Sequence, residues 1–122
     1  MERCLTSRGF TLIEVLVSLV ILSVSLLAMA GLMVTATKNT SFGGRMTEAA
    51  TFAQDRLERF KAIKWDLIPA GADSDVKAGS TGINYARNWN VVSAGNLKTI
   101  TVTINWKDQA DHKLTLLSVI SQ

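Results

Sequence analysis

Arg8-Gly9-Phe10-Thr11-Leu12-Ile13-Glu14-Val15-Leu16-Val17 (RGFTLIEVLV, residues 8–17) places one carboxylate, Glu14, at the head of a segment otherwise suited to lipid. Between Phe10 and Thr37 it is the only charge, and Val15 to Val34 reads VLVSLVILSVSLLAMAGLMV. That run is long enough to cross a bilayer core as an α-helix. An acidic group at mid-span costs about 2.5–3.5 kcal/mol and less near the interface, so Glu14, close to the end of the run, is tolerable for insertion. Among packed helices the same unpaired charge costs more. In a helix beginning at Phe10, Glu14 lies one turn along, roughly 6 Å by the helical rise. Cleavage between Gly9 and Phe10 would create an α-amine at the depth of the carboxylate. The two charges could then neutralise each other, within one chain or between neighbours. Glu14 is thus a candidate register-setting group.

Two other readings of the N-terminus stand beside this one. The first is a plain signal anchor, with Arg3 and Arg8 as its basic leader. The second is a conventional secretory signal, for which Ala28-Met29-Ala30 before Gly31 offers the small-x-small pattern. The length of the preceding segment and the glutamate inside it count against the second. Counting positive charges does not orient the span, because Arg3 and Arg8 on one side face Lys38 and Arg45 on the other. The single cysteine, Cys4, allows no disulfide within one chain and says nothing about redox compartment.

Beyond Lys38 the sequence is polar and mixed, and it can build only a modest core. Arg45 to Leu67 (RMTEAATFAQDRLERFKAIKWDL) sets Met46, Ala49, Ala53, Leu57, Phe60 and Leu67 near one helical face, widened by Ala50, Ile63 and Trp65. This amphipathic helix needs an apolar partner. Arg56, Arg59, Lys61 and Lys64 are interleaved with Asp55, Glu58 and Asp66, which reads as a solvated face rather than a nucleic-acid patch. With a net charge of +3, salt-sensitive DNA binding is not expected. Lys38 to Gly44 ends in Gly43-Gly44, which can bend or interrupt a helix.

Residues 67–84, with the only proline (Pro69) and several glycines, read as a loop. Asp73 and Asp75 within it raise calcium, but they lack the further acidic partner a hard cation prefers. Three strands follow: Asn88 to Val92, Leu97 to Trp106 and Lys113 to Ser121. The middle one alternates Ile100, Val102, Ile104 and Trp106 with Thr99, Thr101, Thr103 and Asn105. One buried face and one wet face predict an antiparallel sheet packed on a helix, covering Leu57 and Phe60. Ser93 to Asn96 and Lys107 to His112 are the expected connections. The fold class is α+β: a long N-terminal helix on a small antiparallel sheet of about three strands. His112 beside Asp111 reads as an exposed turn pair, since no nucleophile pattern accompanies it. No catalytic residues, cofactor or metal site are expected.

The segment from Arg8 through Glu14, followed by VLVSLVIL, resembles the class III leader and N-terminal segment of type IV prepilins and pseudopilins. The resemblance implies recognition of Arg8 and Gly9 by a prepilin peptidase, cleavage after Gly9, N-methylation of Phe10, and a meeting of Glu14 with the Phe10 amine of an adjacent subunit. It further implies a leader over residues 1–9, a transmembrane assembly helix over 10–37, its amphipathic continuation over 38–66, the loop over 67–84 and a periplasmic sheet domain over 85–122. One long helix from about Thr6 to Trp65 is then expected, with Ala30-Gly31 where many major pilins carry a proline. Within the family, Ala49-Ala50 to Glu58, Arg87-x-Trp89-x-Val91 and Ile100 to Asp108 look like PilV-type minor pilins, and the I-type pseudopilin of type II secretion shares much of this. Implied partners are the peptidase, minor and major pilins, inner-membrane lipid and the pilus assembly platform. A DNA-uptake pilin and a membrane-anchored periplasmic binding module remain as alternatives. Arg87, Trp89 and Trp106 are expected in packing and strand-edge roles.

Overall fold

A computed structural model of the protein describes residues 9–122. The expected leader, Arg8, Cys4 and a helix start at Thr6 therefore lie outside the described residues, apart from Gly9. One long helix, α1 (Leu12–Ala62), precedes a four-stranded antiparallel sheet made of β1 (Gly71–Ala78), β2 (Asn84–Ala94), β3 (Leu97–Lys107) and β4 (Asp111–Ser121). The sheet order is β1-β2-β3-β4, a simple meander. By contacts the chain forms two compact units, one ending at Ser41 and the other spanning Phe42–Gln122.

Thr11 starts α1. Its Oγ1 accepts the Glu14 N–H at 3.3 Å and its carbonyl accepts the Glu14 and Val15 N–H groups, which satisfies donors that a helix start leaves unpaired. No proline occurs before Pro69, and the helix runs through Gly43-Gly44, where Thr47 Oγ1 donates back to the Gly43 carbonyl at 2.9 Å. It closes at Ala62 rather than Trp65. A 3₁₀ turn, Trp65–Leu67, follows, and Leu67 leaves the apolar face to become exposed.

The second unit is a helix-on-sheet layer. Ala49, Ala53, Leu57 and Phe60, at intervals of four, four and three, are buried against the inner face of the sheet. Tyr85, Trp89 and Val91 of β2 and Ile100, Val102, Ile104 and Trp106 of β3 supply that face. The alternation anticipated in β3 is thus realised, and the sheet covers Leu57 and Phe60. The two alanines at the helix face leave room for the aromatic side chains opposite. Leu114, Leu116 and Ile120 of β4 are only partly covered.

The sheet has one strand more than expected. β1 falls inside the segment read as a loop over 67–84. Its sequence, GADSDVKA, has a single β-branched residue and gives no strand signal of its own. It pairs along its whole length with β2, from Gly71 opposite Val91 to Ala78 opposite Asn84, so tertiary pairing overrides propensity. Gly79 opens the β1–β2 connection and donates to the Ile83 carbonyl at 2.8 Å. A β-carbon there would sit 2.5 Å from the Tyr85 ring and 3.0 Å from the Ile83 oxygen, so only glycine fits. The β2–β3 hairpin turns on Gly95-Asn96 alone. Gly95, at φ +59°, supplies the positive dihedral of a II′-like turn.

Candidate functional site

The N-terminal unit presents the residues singled out by the sequence. Gly9, Phe10 and Glu14 are all exposed, and Phe10, Glu14, Val15, Ser18, Leu19 and Leu22 line one shallow groove at the head of α1. Among the described residues the Glu14 carboxylate accepts no hydrogen bond, although its backbone N–H is held by Thr11. Thr11-x-x-Glu14 also fits the capping-box spacing, a signal carried by the sequence itself. Only the threonine half of that box is made.

All residues from Gly9 to Gly44 are exposed, and α1 is long and apolar enough to cross a membrane. Its polar residues do not spoil that surface. Ser18, Ser23, Ser25, Thr35 and Thr37 each donate their hydroxyl to the carbonyl four residues back, at 2.7–3.2 Å. Each hydroxyl is satisfied within the helix, which leaves an apolar exterior that lipid or another helix can meet.

In the second unit, polar side chains pin the sheet to α1. Arg87 is only 1% exposed and carries the central pin. Its Nε and Nη2 donate to the two oxygens of Asp75 at 2.8 and 2.5 Å, and Nη1 donates to the Phe52 carbonyl at 3.0 Å and to Asp55 at 3.1 Å. Residues on β1, β2 and α1 thus meet at one guanidinium. Hydrogen bonds from Arg87 hold both carboxyls below the usual range. Arg87 was expected in a packing or strand-edge role. It is buried, and beyond packing its charge is shared by three elements, which nothing in the sequence signalled because β1 was not foreseen. Arg87 also engages both oxygens of Asp75, which a cation at Asp73 and Asp75 would need.

Two further clusters lie nearby. Glu48 accepts the Ser80 N–H at 2.6 Å and the Tyr85 hydroxyl at 2.8 Å. Those bonds, the first above all, lower the Glu48 pKa, whereas burial and then the hydrogen bond to Glu48 push Tyr85 up to about 12. Asp108 folds the β3–β4 turn by accepting the N–H groups of Gln109 and Ala110, and it also binds Arg45 and, at 3.0 Å, His112 Nε2. The Ala110 N–H is the largest of the influences holding its carboxyl well below the usual range. His112 is therefore not an exposed partner of Asp111. It stands in β4, with its ring 5.1 Å from Phe42 and 5.3 Å from Trp106.

Of two further basic residues, one differs from expectation. Arg56, read as part of a solvated face, lies half-buried with its guanidinium 3.7 Å from the Trp89 ring. Lys98 is buried at the other end of the sheet, where Nζ donates to the Trp65 and Ile68 carbonyls at 2.7 and 2.8 Å. It ties the 3₁₀ turn and the residue after it to β3, giving the Trp65 carbonyl a second donor beside the Ile68 N–H.

Comparison with known proteins bears on the N-terminal segment. Residues 5–30 match the family described as the prokaryotic N-terminal methylation motif. The motif points to type IV pilin-like and pseudopilin proteins in general, which are structural rather than enzymatic, and it implies processing by prepilin peptidase and assembly with other pilins. The long helix on a four-stranded antiparallel sheet is consistent with the pilin fold. No curated protein and no solved structure matches the chain.

Proposed function

We propose that this chain is a minor pilin that helps to initiate or assemble a type IV pilus. A prepilin peptidase recognises Arg8 and Gly9, removes residues 1–9 and methylates the new amine of Phe10. Residues 10–37 then hold the protein in the inner membrane, with the leader side cytoplasmic and the sheet domain periplasmic, until the helix passes into the filament. Burial of apolar helix faces among subunits drives that transfer. The Phe10 amine of one subunit and Glu14 of another fix the register. The carrying observation is the groove that Phe10 and Glu14 share at the head of an otherwise uncovered apolar helix. Intact mass tests the first step. Protein purified from cells with the peptidase should lack residues 1–9 and carry one added methyl, and an uncut chain would end this reading.

A minor pseudopilin of type II secretion would share the leader, the helix and the fold, and the segments around Trp89 and Trp106 resemble both. The pilus reading expects deletion of the gene to abolish or sharply reduce surface pili while secreted protein levels stay unchanged. Intact piliation with a secretion defect would assign the chain to the pseudopilus.

A further inference from the structure

We infer that Gly43-Gly44 is a hinge in α1, held straight by a latch that Phe42 makes on His112 of β4. Both glycines lie inside a 51-residue helix, where glycine is disfavoured. Neither has the positive φ that would call for glycine, and a β-carbon built at either position meets nothing within 4 Å. Backbone geometry and packing within the chain therefore give no reason for either residue. What two adjacent glycines supply is a weak point, since each favours the non-helical state about fivefold over alanine.

The hydrogen-bond ladder is also loosened there. Thr47 Oγ1 donates to the Gly43 carbonyl at 2.9 Å and competes with a backbone N–H for that acceptor, a contact that bends helices. Hydroxyls back-bond in this way along the span too, but only here do they meet a pair of glycines.

The flanking residues show what holds the hinge. Downstream, Arg45 is bound by Asp108, and Ala49 and Ala53 are buried in the core. Upstream, Phe42 sets its ring 5.1 Å from His112, whose own ring is fixed by Asp108 and Trp106. Phe42 remains 39% exposed, so its contact sits at the rim and can break without opening the core. Once it breaks, α1 can change direction at the glycines while Arg45 and everything after it stay seated. This hinge is separate from leader cleavage and from the Phe10–Glu14 contact, and it serves a pilus or a pseudopilus alike.

Pulsed electron-resonance distances test it, on the purified full chain held one copy per phosphatidylcholine nanodisc, with Cys4→Ser as background. Spin labels at Leu27→Cys and Glu58→Cys straddle the glycines. They should stand about 46 Å apart along a straight helix and about 6 Å closer after a bend of about 60°. Phe42→Ala should raise the short-distance population about fivefold over wild type. Adding Gly43→Ala and Gly44→Ala should then cut that population about 25-fold. Labels at Leu16→Cys and Thr40→Cys, which span Gly31 but not the pair, should keep one narrow distance throughout. The same distribution with and without Phe42→Ala would overturn the latch. A short-distance population that survives both alanines, or equal broadening at the upstream labels, would overturn the hinge.

Discussion

Arg87→Ala should make the sheet domain far easier to unfold, lowering stability by about 3 kcal/mol. The substitution leaves a cavity at the centre of the helix–sheet interface. It also strands two carboxylates, Asp75 and Asp55, and removes the donors to the Phe52 carbonyl. The figure sits at the low end for breaking a buried ion pair because the carboxylates are not sealed in: the Asp75 and Asp55 side chains keep 34% and 41% exposure, so water can partly replace the guanidinium. Fluorescence of Trp89 and Trp106 during urea titration would report the shift. Arg87→Met combined with Asp75→Asn should be more stable than Arg87→Met alone, because the double variant no longer holds an unpaired carboxylate beside the interface.

The same contacts set an acid dependence. Asp55 and Asp75 have folded pKa values depressed by Arg87, and Glu48 and Asp108 are depressed by their own hydrogen bonds. A carboxyl with a lowered folded pKa contributes stability that is complete above its unfolded value, about 4, and is lost as pH falls through the folded value. The wild-type domain should therefore weaken steadily as pH falls below about 4. The Arg87→Ala variant should show a shallower loss over that window, since two of the four carboxylates have already lost their partner.

The helix and three of the strands were legible because each carries a periodic signal that one chain segment contains by itself. β3 alternates between faces without a break, and α1 repeats Ala49, Ala53, Leu57 and Phe60 at helical spacing. β1 was not legible. Gly71 to Ala78 has the composition of a loop, and its strand conformation comes from the register with β2 and from the hold of Arg87 on Asp75. Neither can be read from eight residues in isolation. Arg56 and His112 were misplaced, and the burial of Lys98 was not signalled, for a related reason. Each is a polar side chain whose partner lies at least 30 residues away or across a turn, as Trp89 lies opposite Arg56 and Ile68 opposite Lys98. Hydrophobic periodicity says which face is inside, and it is silent about which charged groups follow it there. For the N-terminal site the position was otherwise. Phe10 and Glu14 were marked by sequence alone, because a lone carboxylate at the head of an apolar run becomes costly once helices pack around it.

Glu14→Gln should leave the protein in the membrane fraction yet cut its incorporation into filaments about tenfold or more. The choice of glutamine separates two roles that alanine would confound. Thr11 caps α1 through its hydroxyl, and Glu14 stands at the position from which a capping box would answer. Glutamine can fill that position as glutamate does, so a role confined to helix capping predicts normal incorporation. Membrane insertion should improve if anything, because a neutral amide costs less in lipid than a carboxylate. What glutamine cannot do is neutralise the α-amine that cleavage before Phe10 would create. Among packed helices, that amine would then be buried without a counter-charge, a penalty several times the thermal energy. Comparing shed filaments with the membrane fraction, normalised to wild type, measures the ratio directly. Full incorporation of Glu14→Gln would assign the carboxylate to the helix start and remove the register role. A loss with glutamine and a similar loss with alanine would show that the charge itself is what the neighbouring subunit meets.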